Sequence, residues 1–534
     1  MLFSKQNTSL NTTGLFSPLF EDYINQSSQV KPFYNHHINK KDFSVYLEKN
    51  KFDYLNRSVL VKALQSQAKL VSNTSSASLA NIQLLENNNT YTITTGHQLC
   101  LFTGPLYFIY KIASTINLCK SLKENFSDKN FVPVYWMASE DHDFEEINHI
   151  NVFGKKVVWN SNQKGSVGEF STEGLQEVIA ELKTILGDND KANEILSVFE
   201  KAYINHTNLA DATRYLVNEL FGEYGIVILD GNDSELKHLF KEEFKKDIFE
   251  NTSYKLVSET ITELQKKYSA QVTPREINIF YKEKGLRERI EKQDERFVIL
   301  NTQISFSKEE IENIIQTAPE KLSPNVVLRP LYQQKILPNI AYVGGPGELA
   351  YWLEYKSMFD AYDIHLPILM PRNFVMLLDK GTQNKLQKLN LTINDTFKDG
   401  EELVKQFIKT QHNDINLEEA KKQLAEIYAS ITETVNSIDK SLVGTTEAEK
   451  QKAINGVTTI EQKINRALKQ KSETDVNQIW SIKEKLFPKG TPQERYDNFS
   501  MYYTKYGKEF ISNIMENLTY DLENFEYTIL KENL

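Results

Sequence analysis

Residues 91–150 read YTITTGHQLCLFTGPLYFIYKIASTINLCKSLKENFSDKNFVPVYWMASEDHDFEEINHI, and this stretch decides the fold. Its first five residues are mostly β-branched and predict a strand, which runs into Gly96-His97-Gln98. Thr103-Gly104-Pro105 is a second turn signal, and Pro105 suits the first position of a helix over roughly 105–123. FVPVYWMA, residues 131–138, is a continuous apolar run, the mark of a strand buried on both faces. It ends in Ser139-Glu140-Asp141-His142-Asp143-Phe144-Glu145-Glu146. The pattern is a β-α-β unit whose two strands both end in polar groups. Ligands of open α/β sheets bind outside such ends and beside helix N-termini, so a site is expected here.

Outward from this unit, the chain predicts a mostly parallel sheet with further strands near 225–229, 326–329, 340–344 and 366–370. Residues 1–90 look mostly helical, as do 171–221 and 233–268. Residues 270–320 alternate short strand-like pieces with charged segments and read as a small insertion. From about 375 the apolar spacing becomes heptad-like. Leu417, Ala420, Leu424, Ile427, Ile431, Val435, Ile438 and Leu442 form one run, Gly444 breaks it, and Ile454–Leu468 form a second. Two antiparallel helices in a coiled-coil hairpin fit this spacing. A Pro/Gly loop, Leu486–Arg495, precedes a closing helix over roughly 507–531.

Composition narrows the function. The chain has 534 residues, a net charge of −10 and 40% hydrophobic residues, as expected of a soluble multi-domain protein. The acidic balance argues against a nucleic-acid partner, and no apolar run is long enough to span a membrane. Cys100 and Cys119 are too few for a disulfide framework, which points to a reducing cytoplasm.

The candidate chemistry clusters at strand ends. Gly96, His97 and Gln98 suit a carboxylate, phosphate or amine. Gly104 at the helix start suits an anion, and Lys111 lies two turns into that helix. Glu140, Asp141, His142 and Asp143 offer a general base or metal ligands, although no second His/Cys cluster supports a metal. Gly345, Gly347 and Glu348 form a Gly-rich turn between strand and helix. Arg329 and Arg372 stand at two predicted strand ends and suit carboxylates. Cys100, flanked by Leu99, Leu101 and Phe102, reads as a packed thiol. In the late loop, Lys489, Gly490 and Arg495 with Trp480 suit a phosphate and a base in a second pocket, or simply end a helix. Two rival functions stay open on residues alone: a metal-dependent hydrolase or deacetylase using Asp141, His142 and His149, and a non-catalytic coiled-coil assembly protein.

Taken together, TTGHQLCLFTGPLYFIYK, VPVYWMASEDHDFEEINHI, YVGGPGELAYW and LFPKGTPQER make the chain resemble, over its whole length, the cysteine ligase family of bacillithiol synthesis (BshC family). The resemblance implies an α/β fold with a Rossmann-like core related to class I nucleotidyltransferases, connecting-peptide insertions, and a coiled coil that mediates homodimerisation. The core would occupy 1–160 and 321–374, with insertions across 161–320, the coiled coil and loop over 375–506, and a last helix over 507–534. The implied reaction adds L-cysteine to glucosaminyl-malate. For such a reaction the residues' own chemistry points to Asp141, His97 and Asp143 as catalytic, the two aspartates holding an ammonium and accepting its proton. The resemblance favours a nucleotide in the second pocket, and ATP or ADP is a possible ligand. Thr95-Gly96-His97-Gln98 stands where class I adenylating enzymes carry an HIGH-type element, and no KMSKS-like stretch is present.

Overall fold

The computed structural model describes residues 2–411 and 417–533. These fall into two compact units, residues 1–377 with 491–534, and residues 378–490.

The first unit is organised by a five-stranded parallel sheet. Its order is Ile368–Pro371, Asn339–Gly344, Thr90–His97, Asn130–Met137, Val227–Asp230. Thr90–His97 lies at the centre and pairs with Asn130–Met137 from Thr90↔Asn130 to His97↔Met137. The chain crosses between them through helix Tyr107–Asn125, whose Phe108, Ile109, Ile112, Ala113 and Ile116 are buried. Continuous β-branched and aromatic runs make these strands because both sheet faces are covered. From the central strand the chain first builds outward to Val227–Asp230. It later returns to the other side with Asn339–Gly344. Strand order therefore reverses between Thr90–His97 and Asn339–Gly344, and a crevice opens at their carboxyl ends.

Three expectations need correction. Residues 326–329 form no strand. They are a turn leading into helix Arg329–Ile336, which has Pro330 in its first turn. Phe3–Ser9 is a strand, paired antiparallel with Glu526–Glu532, so neither terminus of the described chain is purely helical. The helix Glu509–Asn517 stops well before residue 531. Residues 270–320 do form a small subdomain. Its antiparallel strands run in the order Ser305–Phe306, Arg296–Ile299, Leu286–Gln293, Ile279–Glu283, Leu322–Pro324.

The second unit contains the helical hairpin Glu418–Ile438 and Val443–Lys471, tied by Lys421 to Glu461 at 2.7 Å. The break between its helices lies at Lys440–Leu442, and Gly444 sits inside the second helix instead of ending the first. Ile427, Ile431, Ile438, Leu442 and Ile460 are exposed on the hairpin.

Candidate active site

At the switch point lies a cavity of about 690 Å³, wholly within the first unit. It gathers Gly96, His97, Gln98, Lys111, Glu140, Asp141 and His142 with Arg329, Gly345, Gly347, Glu348 and Arg372. The strand ends and the Gly-rich turn thus converge, as the β-α-β reading requires.

The floor is a saturated ion pair. Lys111 is only 2% exposed and donates to the Gly96 carbonyl and to Glu348 at 2.8 Å. Glu348 also accepts from the Tyr342 hydroxyl and the Gly345 N–H, each at 2.8 Å. Burial alone would raise the Glu348 carboxyl, but Lys111 and these bonds hold it below the usual carboxylate range. Both residues line the cleft, yet their bonds go to each other and to the strand ends. They fix the crevice and leave little for a ligand.

Beside the floor, the Gln98 side-chain amide donates to Asp141 at 2.8 Å and to Glu146 at 2.7 Å. The other Asp141 oxygen accepts the His142 N–H at 2.7 Å. Two carboxylates thus share one amide and form an acidic edge suited to an ammonium group. Asp143 behaves otherwise. Its side chain accepts the Glu146 N–H and caps helix Phe144–Ile147, outside the cleft lining, so the expected catalytic role is not where the chain puts it.

His97 packs against Tyr107 and Phe108. Burial, with Lys111 nearby, pushes its imidazole down to about 4, so the ring is neutral at pH 7. Nδ1 lies 2.8 Å from the Gln98 carbonyl, which assigns the N–H to Nδ1 and leaves the Nε2 lone pair unprotonated. Cys100 Sγ stands 3.8 Å from that ring, but burial pushes the thiol up to about 12, which excludes a resting thiolate.

Glu140 is committed to Lys237, with contacts of 2.8 and 3.0 Å. Lys237 is fully buried, also donates to the Leu322 carbonyl, and is pushed down to about 8 by its burial. His142 Nδ1 is met at 2.6 Å by Arg287, whose guanidinium lies 3.9 Å from the Phe280 ring centre and donates to Ser323. A cation on that nitrogen opposes metal ligation. His149 pairs with Asn148 at the start of His149–Val152 and lies outside the cleft lining. Among the described residues no group of three or more His, Cys, Asp or Glu is placed to hold a metal ion.

The remaining candidates divide. Arg372, 2% exposed, is locked in a bidentate pair with Glu494 at 2.9 and 2.6 Å. Arg329 opens a helix instead of ending a strand. Its guanidinium stands over Trp136 and Tyr342 at 5.6 and 5.9 Å. Gly104 is structural. Its φ is +68°, a Cβ there would come within 2.6 Å of Cys100, and its carbonyl is held by Asn498. Arg495 lines this cleft, whereas Trp480, Lys489 and Gly490 belong to the second unit, where the Trp480 ring covers Gly400. Sequence reasoning missed Glu146, Arg275, Arg287, Arg289 and Asn325, all cleft residues. Period-2 alternation on a strand would have placed Arg287 and Arg289 on one face.

Residues 3–373 match the family described as "Bacillithiol biosynthesis BshC, N-terminal Rossmann-like domain", and residues 375–532 match "Bacillithiol biosynthesis BshC, C-terminal coiled-coil domain". The chain belongs to the BshC family. A relative from Flavobacterium johnsoniae, named "Putative cysteine ligase BshC", is 44% identical over 513 residues, covering 96% of this chain and 97% of the relative. BshC proteins of the same name from Cytophaga hutchinsonii and Bacillus cereus are 41% and 29% identical, each covering 93% of this chain and 93% and 95% of the relative. The cleft draws on both BshC segments, because Arg495 falls in the second match and the other lining residues in the first.

Proposed function

We propose that this ligase joins the carboxyl of L-cysteine to the amine of glucosaminyl-malate, the last step of bacillithiol synthesis. One observation carries the reading: a single switch-point cleft combines an acidic edge, Asp141 and Glu146, with several arginines. An amine becomes nucleophilic only as the free base. The acidic edge first holds it as an ammonium and then accepts its proton. The cysteine carboxylate is a poor electrophile, so its oxygen must be turned into a leaving group, a chemistry that ATP supplies. His97 Nε2 and the cationic wall are the groups of this chain suited to orienting that carboxyl. As the C–N bond forms, the activated C–O bond breaks, and the amine proton passes to the Asp141–Glu146 edge. The setting is the cytoplasm, consistent with two free buried cysteines and with no helix of the described residues long and apolar enough to cross a membrane.

The coiled-coil unit pairs with a second copy. Ile427, Ile431, Ile438 and Leu442 form an exposed apolar stripe of the sort that isologous association covers. A monomer mass by light scattering at micromolar concentration would contradict this. The ligase reading is tested by incubating the purified chain with L-cysteine, glucosaminyl-malate and ATP. The amide product detected by mass spectrometry is expected, and its absence with all three present would overturn the reading.

A further inference from the structure

The charge in the cleft is unevenly committed. Among its carboxylates, Glu140 is paired with Lys237 and Glu348 with Lys111, which leaves Asp141 and Glu146 without a Lys or Arg partner. Among its guanidiniums, Arg372 is paired with Glu494, and Arg287 is spent on His142, Ser323 and the Phe280 ring. Arg275, Arg289, Arg329 and Arg495 make no ion pair among the described residues. An occupant that neutralises this cleft therefore carries more negative than positive charge. It needs an ammonium for the acidic edge and anionic groups, such as carboxylates, for the arginines.

Two of these arginines come from the small antiparallel subdomain, and they are built into it. Arg287 and Arg289 alternate on strand Leu286–Gln293, so they share a face, and Arg289 stands opposite Phe280 across the ladder. Arg275 precedes strand Ile279–Glu283. Its backbone N–H and carbonyl are both held by the Asn278 side chain, at 3.1 and 2.8 Å. Asn278 is fully buried and is itself anchored to the buried Asp247, at 2.6 Å through its N–H. Asn325, also in the cleft, bonds the same Asn278 carboxamide at 3.1 Å. A buried Asp–Asn post thus fixes the backbone of an exposed, unpaired arginine at the cleft edge.

We infer that Arg275, Arg289 and Arg329, which all line this cleft, form the subsite for the dicarboxylate end of the amine substrate and set its specificity. The inference rests on the ligase reading and deepens it. Guanidinium forks bind carboxylates in bidentate fashion, and two of them on one wall select a dianion over a monoanion. The amine end of the same molecule then falls to Asp141 and Glu146.

The double variant R275Q/R289Q tests this, because both side chains are exposed, without ion pairs, and removable without opening the core. Loss of two charged contacts should raise KM for glucosaminyl-malate by about tenfold or more, with kcat changed by less than about threefold. KM for L-cysteine and for ATP should stay at the wild-type value. A rise in KM for ATP instead would assign the wall to phosphate and overturn the proposal, as would an unchanged KM for the acceptor. A binding arm separates this from the ligase reading. In a nuclear magnetic resonance titration, L-malate should bind the wild-type chain, L-lactate should bind at least about tenfold more weakly, and the double variant should lose the preference. Malate binding that survives in the variant, or is absent from the wild type, refutes the subsite. Malate binding that depends on the arginines, in a chain that forms no amide, keeps the subsite and rejects the ligase.

Discussion

Two charged pairs in one cleft behave oppositely. In Lys111–Glu348 the lysine is buried beneath the strand ends, and every oxygen of Glu348 is bonded. The Asp141–Glu146 pair is partly exposed and shares a single neutral donor from Gln98. Residue type does not distinguish them, since Glu348, Asp141 and Glu146 are all carboxylates that follow a strand of the parallel sheet. Satisfaction does. A carboxylate whose partners are all internal holds the backbone in place, and one left short of a cation is available to a ligand.

This contrast can be broken from either side. The largest effect is expected at the open pair. Asp141→Asn keeps the acceptor for the His142 N–H but removes the base, so turnover should fall by about 10²- to 10⁴-fold with little change in thermal stability. Near-normal turnover with glucosaminyl-malate would contradict it. Next comes the closed pair. Lys111→Met leaves Glu348 without its cation, still bonded to Tyr342 and Gly345, and should cost about 1–3 kcal/mol of stability, whereas Lys111→Met/Glu348→Leu should recover part of that. Equal destabilisation of the single and double variants, measured by urea unfolding, would show that the pair is not a unit. His97→Ala removes an oriented acceptor and should lower kcat by about ten- to a thousandfold. Because its imidazole is pushed down to about 4, the activity profile of the wild type should show no histidine inflection from this ring between pH 6 and 8.

The smallest expected effect lies at Glu354. It is fully buried, accepts the Gln271 N–H at 2.7 Å, and is pushed up to about 7 by burial. A raised carboxyl favours folding while it is protonated. Its contribution is therefore complete below the ordinary glutamate range and is lost as pH rises through about 7. Glu354→Gln should flatten the stability slope between about pH 5 and 7 without moving the acceptor KM. An unchanged slope in chemical unfolding would remove Glu354 from this role.

The central sheet was legible because its strands announce themselves locally. TYTIT, FVPVYWM and IAYVG are β-branched or apolar throughout, and Gly or an acidic cluster marks each end. The misread segment, Asn325–Arg329, has the same apolar look, but Pro330 follows directly and belongs to the first turn of a helix. Roles inside the cleft were less legible, because they depend on partners distant in sequence. Glu140 looked free until Lys237 was placed against it, and Arg372 until Glu494 was. Arg275 and Arg289 stood in a charged, unremarkable segment. Only the folding of that segment brings them to the cleft. The first strand gave little local signal, since FSKQNTS has weak alternation and its partner, Glu526–Glu532, lies more than 500 residues away in sequence.

That last pairing bears on when the molecule matures. On the ribosome, Phe3–Ser9 emerges early and has no partner until Glu526–Glu532 has been translated. Glu494, which locks Arg372 at a strand end, and Asn498, which holds the Gly104 turn, arrive almost as late. The parallel sheet is complete in sequence by Pro371, but its crevice is not. Nascent chains arrested before Glu494 should therefore hold a formed nucleus with an unfinished catalytic mouth. Commitment to activity thus waits on residues 494–498, an order set by topology.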